Sequence, residues 1–166
     1  MTSSQRPLVI GLGSPHGDDQ AGWGVVDRIR QRGIADARRA GDGVALLTAL
    51  DTTHDVVVVD AAAPAGHPGR VRVISWPSVE LREARLVSTH GMGLVEALRM
   101  AEAVGRLPRR VTGVAIEAEG LAPGTPLGPA VDDAVERVVE HLVSGASLET
   151  IIQSDQEARS LLGEPA

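Results

Sequence analysis

The chain has 166 residues, a formal charge of −6 and no cysteine. That length suits one domain around a single core. The acidic balance argues against nucleic acid as a partner, because backbone binding needs a basic surface, and the missing thiols remove disulfides, thiolate metal sites and a cysteine nucleophile.

All 16 basic residues are arginine, which also removes a lysine nucleophile or Schiff base. With no Phe or Tyr and two Trp, the packing falls to Val, Leu, Ala and Ile. Met1 to Arg6 is polar, and the first apolar run is too short for a signal peptide or a membrane span. The expectation is a cytoplasmic protein, with neither membrane nor nucleic acid as partner, working as a monomer or weak homodimer.

Arg6 to Leu12 reads as a strand, apolar on both faces and hence central in a parallel sheet. A Gly/Pro-rich turn follows, then Asp18 and Asp19, either of which can cap a helix running to about Arg32. Ile34 to Ala40 is a weak edge strand, Gly41-Asp42-Gly43 a turn, and Val44 to Leu50 a short helix. Asp55-Val-Val-Val-Val-Asp60 is the clearest strand, since four consecutive valines fit an element buried on both faces.

Ala61 to Pro68 is a loop, and Val71 to Trp76 alternates as a strand that Pro77 ends. Leu86-Val87 is a short strand-like segment, and Ser88-Thr89 offers caps for a helix over His90 to Val104. Arg109 to Glu117 is a fifth strand, with Arg109 and Arg110 marking its start. A Gly/Pro loop then leads to a helix from Pro129 to about Val143. The alternation predicts an α/β protein, a three-layer α/β/α sandwich around a mostly parallel five-stranded sheet. Residues 1–145 form the single catalytic domain in this reading, and 146–166 a polar, weakly helical tail.

In a parallel sheet, strand ends of one sense share an edge, and ligands bind there. Asp19 follows the first strand, Asp60 ends the valine strand and His90 opens a helix, so the three side chains can converge. Two carboxylates and an imidazole suit a borderline divalent metal such as zinc, nickel, manganese or iron. The same set suits general acid–base work.

Each residue also has a purely structural role open to it. Asp18 and Asp19 fit a cap and a favourable charge at a helix N-terminus, and His90 fits capping or packing. Asp60 is harder to explain so, because a carboxylate continuing a buried apolar strand needs a partner. His16 adds a ligand or is simply solvated, and His54, His67 and His141 read as surface residues.

Three other chemistries fit poorly. Gly11-Leu-Gly13 starts a dinucleotide fingerprint, but the third glycine falls one position late at Gly17, and Asp18 and Asp19 would face the pyrophosphate. A Ser14–Asp60–His90 hydrolase lacks the nucleophile elbow, and Pro15 lacks the N–H that follows the serine in the oxyanion hole. A P-loop is excluded because no lysine exists to reach a phosphate.

The stretch Ile10-Gly-Leu-Gly-Ser-Pro-His-Gly-Asp-Asp-Gln-Ala-Gly-Trp-Gly resembles the opening signature of the nickel–iron hydrogenase maturation proteases. Val56 to Ala61 resembles that family's apolar strand ending in Asp-Ala. Ser88-Thr-His90-Gly-Met-Gly-Leu and Val114 to Gly128 are similar to its later segments. The similarity covers about residues 7 to 143.

The resemblance implies that the sheet is twisted and of phosphorylase/hydrolase-like type, and that the protein is an endopeptidase that removes a C-terminal peptide from the hydrogenase large-subunit precursor after nickel insertion. It implies that Asp19, Asp60 and His90 are the catalytic and metal-contacting residues. The nickel would be borne by the substrate, and another divalent ion such as zinc or cadmium can occupy the site. Ser14 stands where the family usually has Asn, and Gly41-Asp-Gly43 only partly matches its Asp-Gly-Gly-Thr run. Two alternatives stay open: a non-catalytic, metal-binding hydrogenase assembly factor, and a peptidyl-tRNA hydrolase-like hydrolase, which shares Gly-Leu-Gly but normally continues Asn-Pro-Gly.

Overall fold

A computed structural model describes residues 6–79 and 92–152. The elements are β1 (Leu8–Leu12), a 3-10 turn (Gly17–Gln20), α1 (Ala21–Gln31), β2 (Ala37–Ala40), α2 (Gly43–Ala49), β3 (Val56–Ala62) and β4 (Val71–Trp76). After the undescribed segment come α3 (Leu94–Ala103), β5 (Val111–Glu117) and α4 (Pro129–Ser144).

The strands form one sheet in the order β2-β1-β3-β5-β4. β1 pairs in parallel with β2 and β3, and β3 in parallel with β5. β4 alone runs antiparallel, on β5. Every residue of β1 and of β3 is buried, as expected of central strands covered on both faces. β2 is an edge strand in which Arg38 and Arg39 are exposed, and it spans four residues rather than the seven of the Ile34 to Ala40 pattern.

Two helical layers complete the sandwich. Val25, Val26 and Ile29 of α1 and Val131, Val135, Val138 and Val139 of α4 cover Val9, Val57 and Val59. Leu46 of α2 and Leu94 and Leu98 of α3 cover Leu8, Ile10, Val56 and Val58 on the other face. Successive valines of β3 thus serve opposite layers, the strand's period of two at work. Arg28 bridges Asp132 and Glu136, and Arg32 reaches Glu136, tying α1 to α4. Beyond α4, Ile151 is buried in the α1/α4 layer.

Some helix starts differ from expectation. Neither Asp18 nor Asp19 caps α1: the 3-10 turn intervenes, Gln20 sits at the N-cap, and no side chain bonds there. α3 begins at Leu94 with Gly93 as its cap, later than the His90 start. Leu86-Val87, the expected caps Ser88 and Thr89, and His90 itself lie outside the described residues. α2 does carry a side-chain cap, the Ala45 N–H donating to Asp42 Oδ1 at 2.8 Å.

Two glycines decide how close α1 lies to the sheet. A Cβ on Gly22 would sit 2.4 Å from the Leu12 carbonyl oxygen and 2.5 Å from that of Val59. A Cβ on Gly11 would sit 2.1 Å from the Gly22 carbonyl oxygen. Backbone therefore rests on backbone, which brings the start of α1 down between β1 and β3. Among the described residues no helix is long and apolar enough to cross a membrane.

Candidate active site

From β1 the chain crosses to β2 on one side and later to β3 on the other, so the β1/β3 boundary is a topological switch point. Open α/β sheets bind ligands at the carboxyl ends of the strands flanking such a point. Asp19 arrives there from the turn after β1, and Asp60 from near the end of β3. Both are almost wholly buried, Asp19 1% exposed and Asp60 2%.

Their hydrogen bonding is incomplete. Asp60 Oδ1 accepts the Ala61 N–H at 2.8 Å. Asp60 Oδ2, both Asp19 carboxylate oxygens and the Ser14 hydroxyl are buried without a hydrogen-bond partner among the described residues. Buried polar atoms are nearly always paired, so several orphaned oxygens in one place mark a site that a cation or a substrate group completes. Oxygen donors of this kind fit a divalent metal.

The electrostatics agree. Burial, and next the neighbouring Asp19 charge, push Asp60 well above the usual carboxylate range, against the pull of the Ala61 N–H. Burial also raises Asp19, while the nearby Ser14 hydroxyl and the His16 ring draw it back. Ser14 stands beside Asp19 without completing a hydrogen bond.

Of the three residues expected from the sequence, the fold brings Asp19 and Asp60 together, and His90 falls outside the described residues. Among the described residues, no three of His, Asp and Glu gather closely enough to hold a metal ion. His16 is exposed at the mouth of the loop. The other described histidines are half-buried rather than freely exposed. His54 lies 3.3 Å from Asp51, the His67 N–H donates to Glu117, and His141 Nδ1 lies 2.9 Å from the Arg137 carbonyl.

Two further buried carboxylates organise the loops around the site. Asp18 Oδ2 accepts the N–H groups of Glu119 at 2.8 Å and Gly120 at 3.0 Å, and Oδ1 accepts that of Gly128 at 2.7 Å. Glu117 Oε1 accepts the N–H groups of Ala65 at 2.8 Å and His67 at 2.6 Å. One carboxylate thus gathers the β5–α4 loop and the other the β3–β4 loop. Glu117 had a signal in the sequence, an acid closing an apolar strand as Asp60 nearly does. The partners of Asp18 had none.

Comparison with known proteins places this architecture. Residues 40–145 match the HycI hydrogenase maturation protease family, a span that includes Asp60 and begins after Asp19. The hydrogenase 2 maturation protease of Escherichia coli K12 is 26% identical over 148 residues, covering 84% of this chain and 89% of that protein. The [NiFe] hydrogenase maturation protease HybD of Thermococcus kodakarensis superposes with a TM-score of 0.70 at 26% identity, over 86% of this chain and 100% of that one. The hydrogenase maturating endopeptidase HybD of E. coli shares the fold, with a TM-score of 0.68 at 23% identity over 85% of this chain and 91% of that one. A matched family span covering most of the chain, joined to a sheet of the same architecture, makes this protein a member of the hydrogenase maturation protease family.

Proposed function

We propose that this protein is the endopeptidase that removes the C-terminal extension of a nickel–iron hydrogenase large-subunit precursor after nickel insertion. Asp19, Asp60 and His90 recognise the nickel carried by that precursor. The observation supporting this most directly is the pair of buried carboxylates at the switch point, with three oxygens lacking partners among the described residues. Such a pair is unfavourable in an empty interior and becomes favourable against a dication. Zinc or cadmium would satisfy the same donors in place of nickel, and the protein would act in the cytoplasm.

The chain has no cysteine or lysine to form a covalent intermediate, and Ser14 Oγ has no base bonded to it among the described residues. Hydrolysis therefore proceeds by direct attack of water, of aspartic or metal-assisted type. Docking of the precursor's nickel on the three side chains brings the scissile peptide to the site and fixes its orientation. A carboxylate takes a proton as the water oxygen bonds to the peptide carbonyl carbon. The C–N bond then breaks, and the amine leaves with that proton. A raised carboxyl pKa suits this duty near neutral pH.

The test is anaerobic incubation of the full chain with precursor from the same organism, with and without nickel, following precursor mass. Nickel-dependent loss of a C-terminal peptide, abolished by Asp60→Asn in a folded variant, is the expected result. No loss from a nickel-loaded precursor would point to a non-catalytic assembly factor. Loss without nickel would retain a peptidase and overturn the metal recognition.

A further inference from the structure

The Asp19 carboxylate has no hydrogen-bond partner among the described residues, so the backbone of the Gly17–Gln20 turn is what sets where its oxygens lie. What holds that turn is Asp18, the residue before Asp19. The Asp18 side chain is 2% exposed and collects three backbone N–H groups, from Glu119, Gly120 and Gly128. Its own N–H donates to the Gly120 carbonyl at 2.8 Å, so turn and loop are bonded in both directions.

The neighbours reinforce the clamp. Gln20 Nε2 donates to the Thr125 carbonyl at 2.9 Å and to that of Gly17 at 3.0 Å. Gly17 has φ 52, and a Cβ there would lie 2.6 Å from the Gly120 carbonyl oxygen. Turn and loop are thus in backbone contact, with one carboxylate as the main fastening.

We infer that Asp18 is a positioning residue for Asp19: it locks the turn onto the β5–α4 loop and so presets the unpartnered carboxylate for a divalent cation. This rests on the reading of Asp19 as a metal-contacting residue. Only a carboxylate serves this role well, because it accepts on both oxygens. An asparagine keeps one acceptor and turns an NH2 group on an N–H donor at Gly128 or at the Glu119/Gly120 pair. One end of the loop is released and the turn gains freedom. Groups that orient a ligand without touching the metal typically govern its affinity by 10–100-fold.

The experiment is calorimetric titration of nickel ion into the purified full chain, comparing wild type with Asp18→Asn, Asp19→Asn and Val138→Ala. Val138 is fully buried in the α1/α4 layer and serves as a control for lost stability. Melting curves rank the variants by Tm. The expected outcome is saturable binding by wild type, none by Asp19→Asn, and a Kd about 10–100-fold weaker for Asp18→Asn. Val138→Ala binds as wild type despite its lower Tm. A wild-type Kd in Asp18→Asn overturns the inference while leaving the metal reading standing. Equal weakening in Val138→Ala overturns it too, since affinity would then merely follow stability. No binding by wild type overturns the inference of a preset cation site, whereas recognition of the precursor's nickel is decided separately by the cleavage assay.

Discussion

Gly22 and Gly24 lie two residues apart in α1 yet face opposite demands. In a free helix either Gly→Ala change should stabilise by about 1 kcal/mol through propensity. At Gly22 the added methyl would approach two backbone carbonyl oxygens, of Leu12 at 2.4 Å and Val59 at 2.5 Å, on different strands. Ordinary contact needs roughly 1 Å more, and neither strand can yield alone because both are central in the sheet. Overpacking of this kind costs about 1–3 kcal/mol. Rigid carbonyls on both sides place Gly22→Ala at the upper end, so the net loss after propensity is about 2 kcal/mol.

At Gly24 the same methyl would meet only side-chain carbons of Leu127 and Val135 at 3.5 Å, an ordinary contact, so the propensity gain survives. Urea unfolding followed by far-UV circular dichroism reads both effects. With a slope of about 2 kcal/mol per M, the midpoint should fall by about 1 M for Gly22→Ala and rise by about 0.5 M for Gly24→Ala. Gly22→Ala should also lose nickel-dependent cleavage, because lifting α1 moves the turn that carries Asp19. A wild-type midpoint in Gly22→Ala, or an equal loss in Gly24→Ala, would refute the backbone-on-backbone account.

Two more expectations concern stability. The folded protein holds Asp60 above its ordinary pKa of 3.8, so it binds more protons than the unfolded chain and loses stability as pH rises from that value through the raised one. Asp60→Asn removes this burden: relative to wild type it should gain stability between pH 4 and pH 7 in paired urea melts, and an unchanged difference would discredit the buried-charge argument. Asp42→Ala deletes the α2 cap and should cost about 0.5–2 kcal/mol, read as a lower Tm. An unaltered Tm would show that the Ala45 N–H finds water at no loss. Asp60→Asn should therefore be more stable than wild type and inactive, as expected where a site stores unfavourable charge for function.

Much of this protein was legible in its residues. Four valines in a row, an apolar run before a glycine turn and helical spacing near Leu94, Leu98 and Ala101 are local signals, and each returned the element it implied. Asp60 stood out for the same reason: a charge in an apolar strand conflicts with its surroundings in a way that needs no coordinates. Element ends were less legible. α3 starts at Leu94, with Gly93 as its cap, rather than at His90, because a helix begins where the backbone turns and not where apolar spacing begins.

The division of labour between Asp18 and Asp19 was decided only by the tertiary structure. In the sequence they are identical neighbours, and both fit a helix cap. In the fold, Asp18 receives N–H groups from Glu119, Gly120 and Gly128, about a hundred residues further along the chain, whereas Asp19 receives none from the described residues. Hydrophobic period and local propensity determine which stretches become strands and helices, because those depend on near neighbours. Which of two adjacent carboxylates is fastened and which is left open depends on the donors that a distant loop delivers, and only the packed sheet brings that loop to the site.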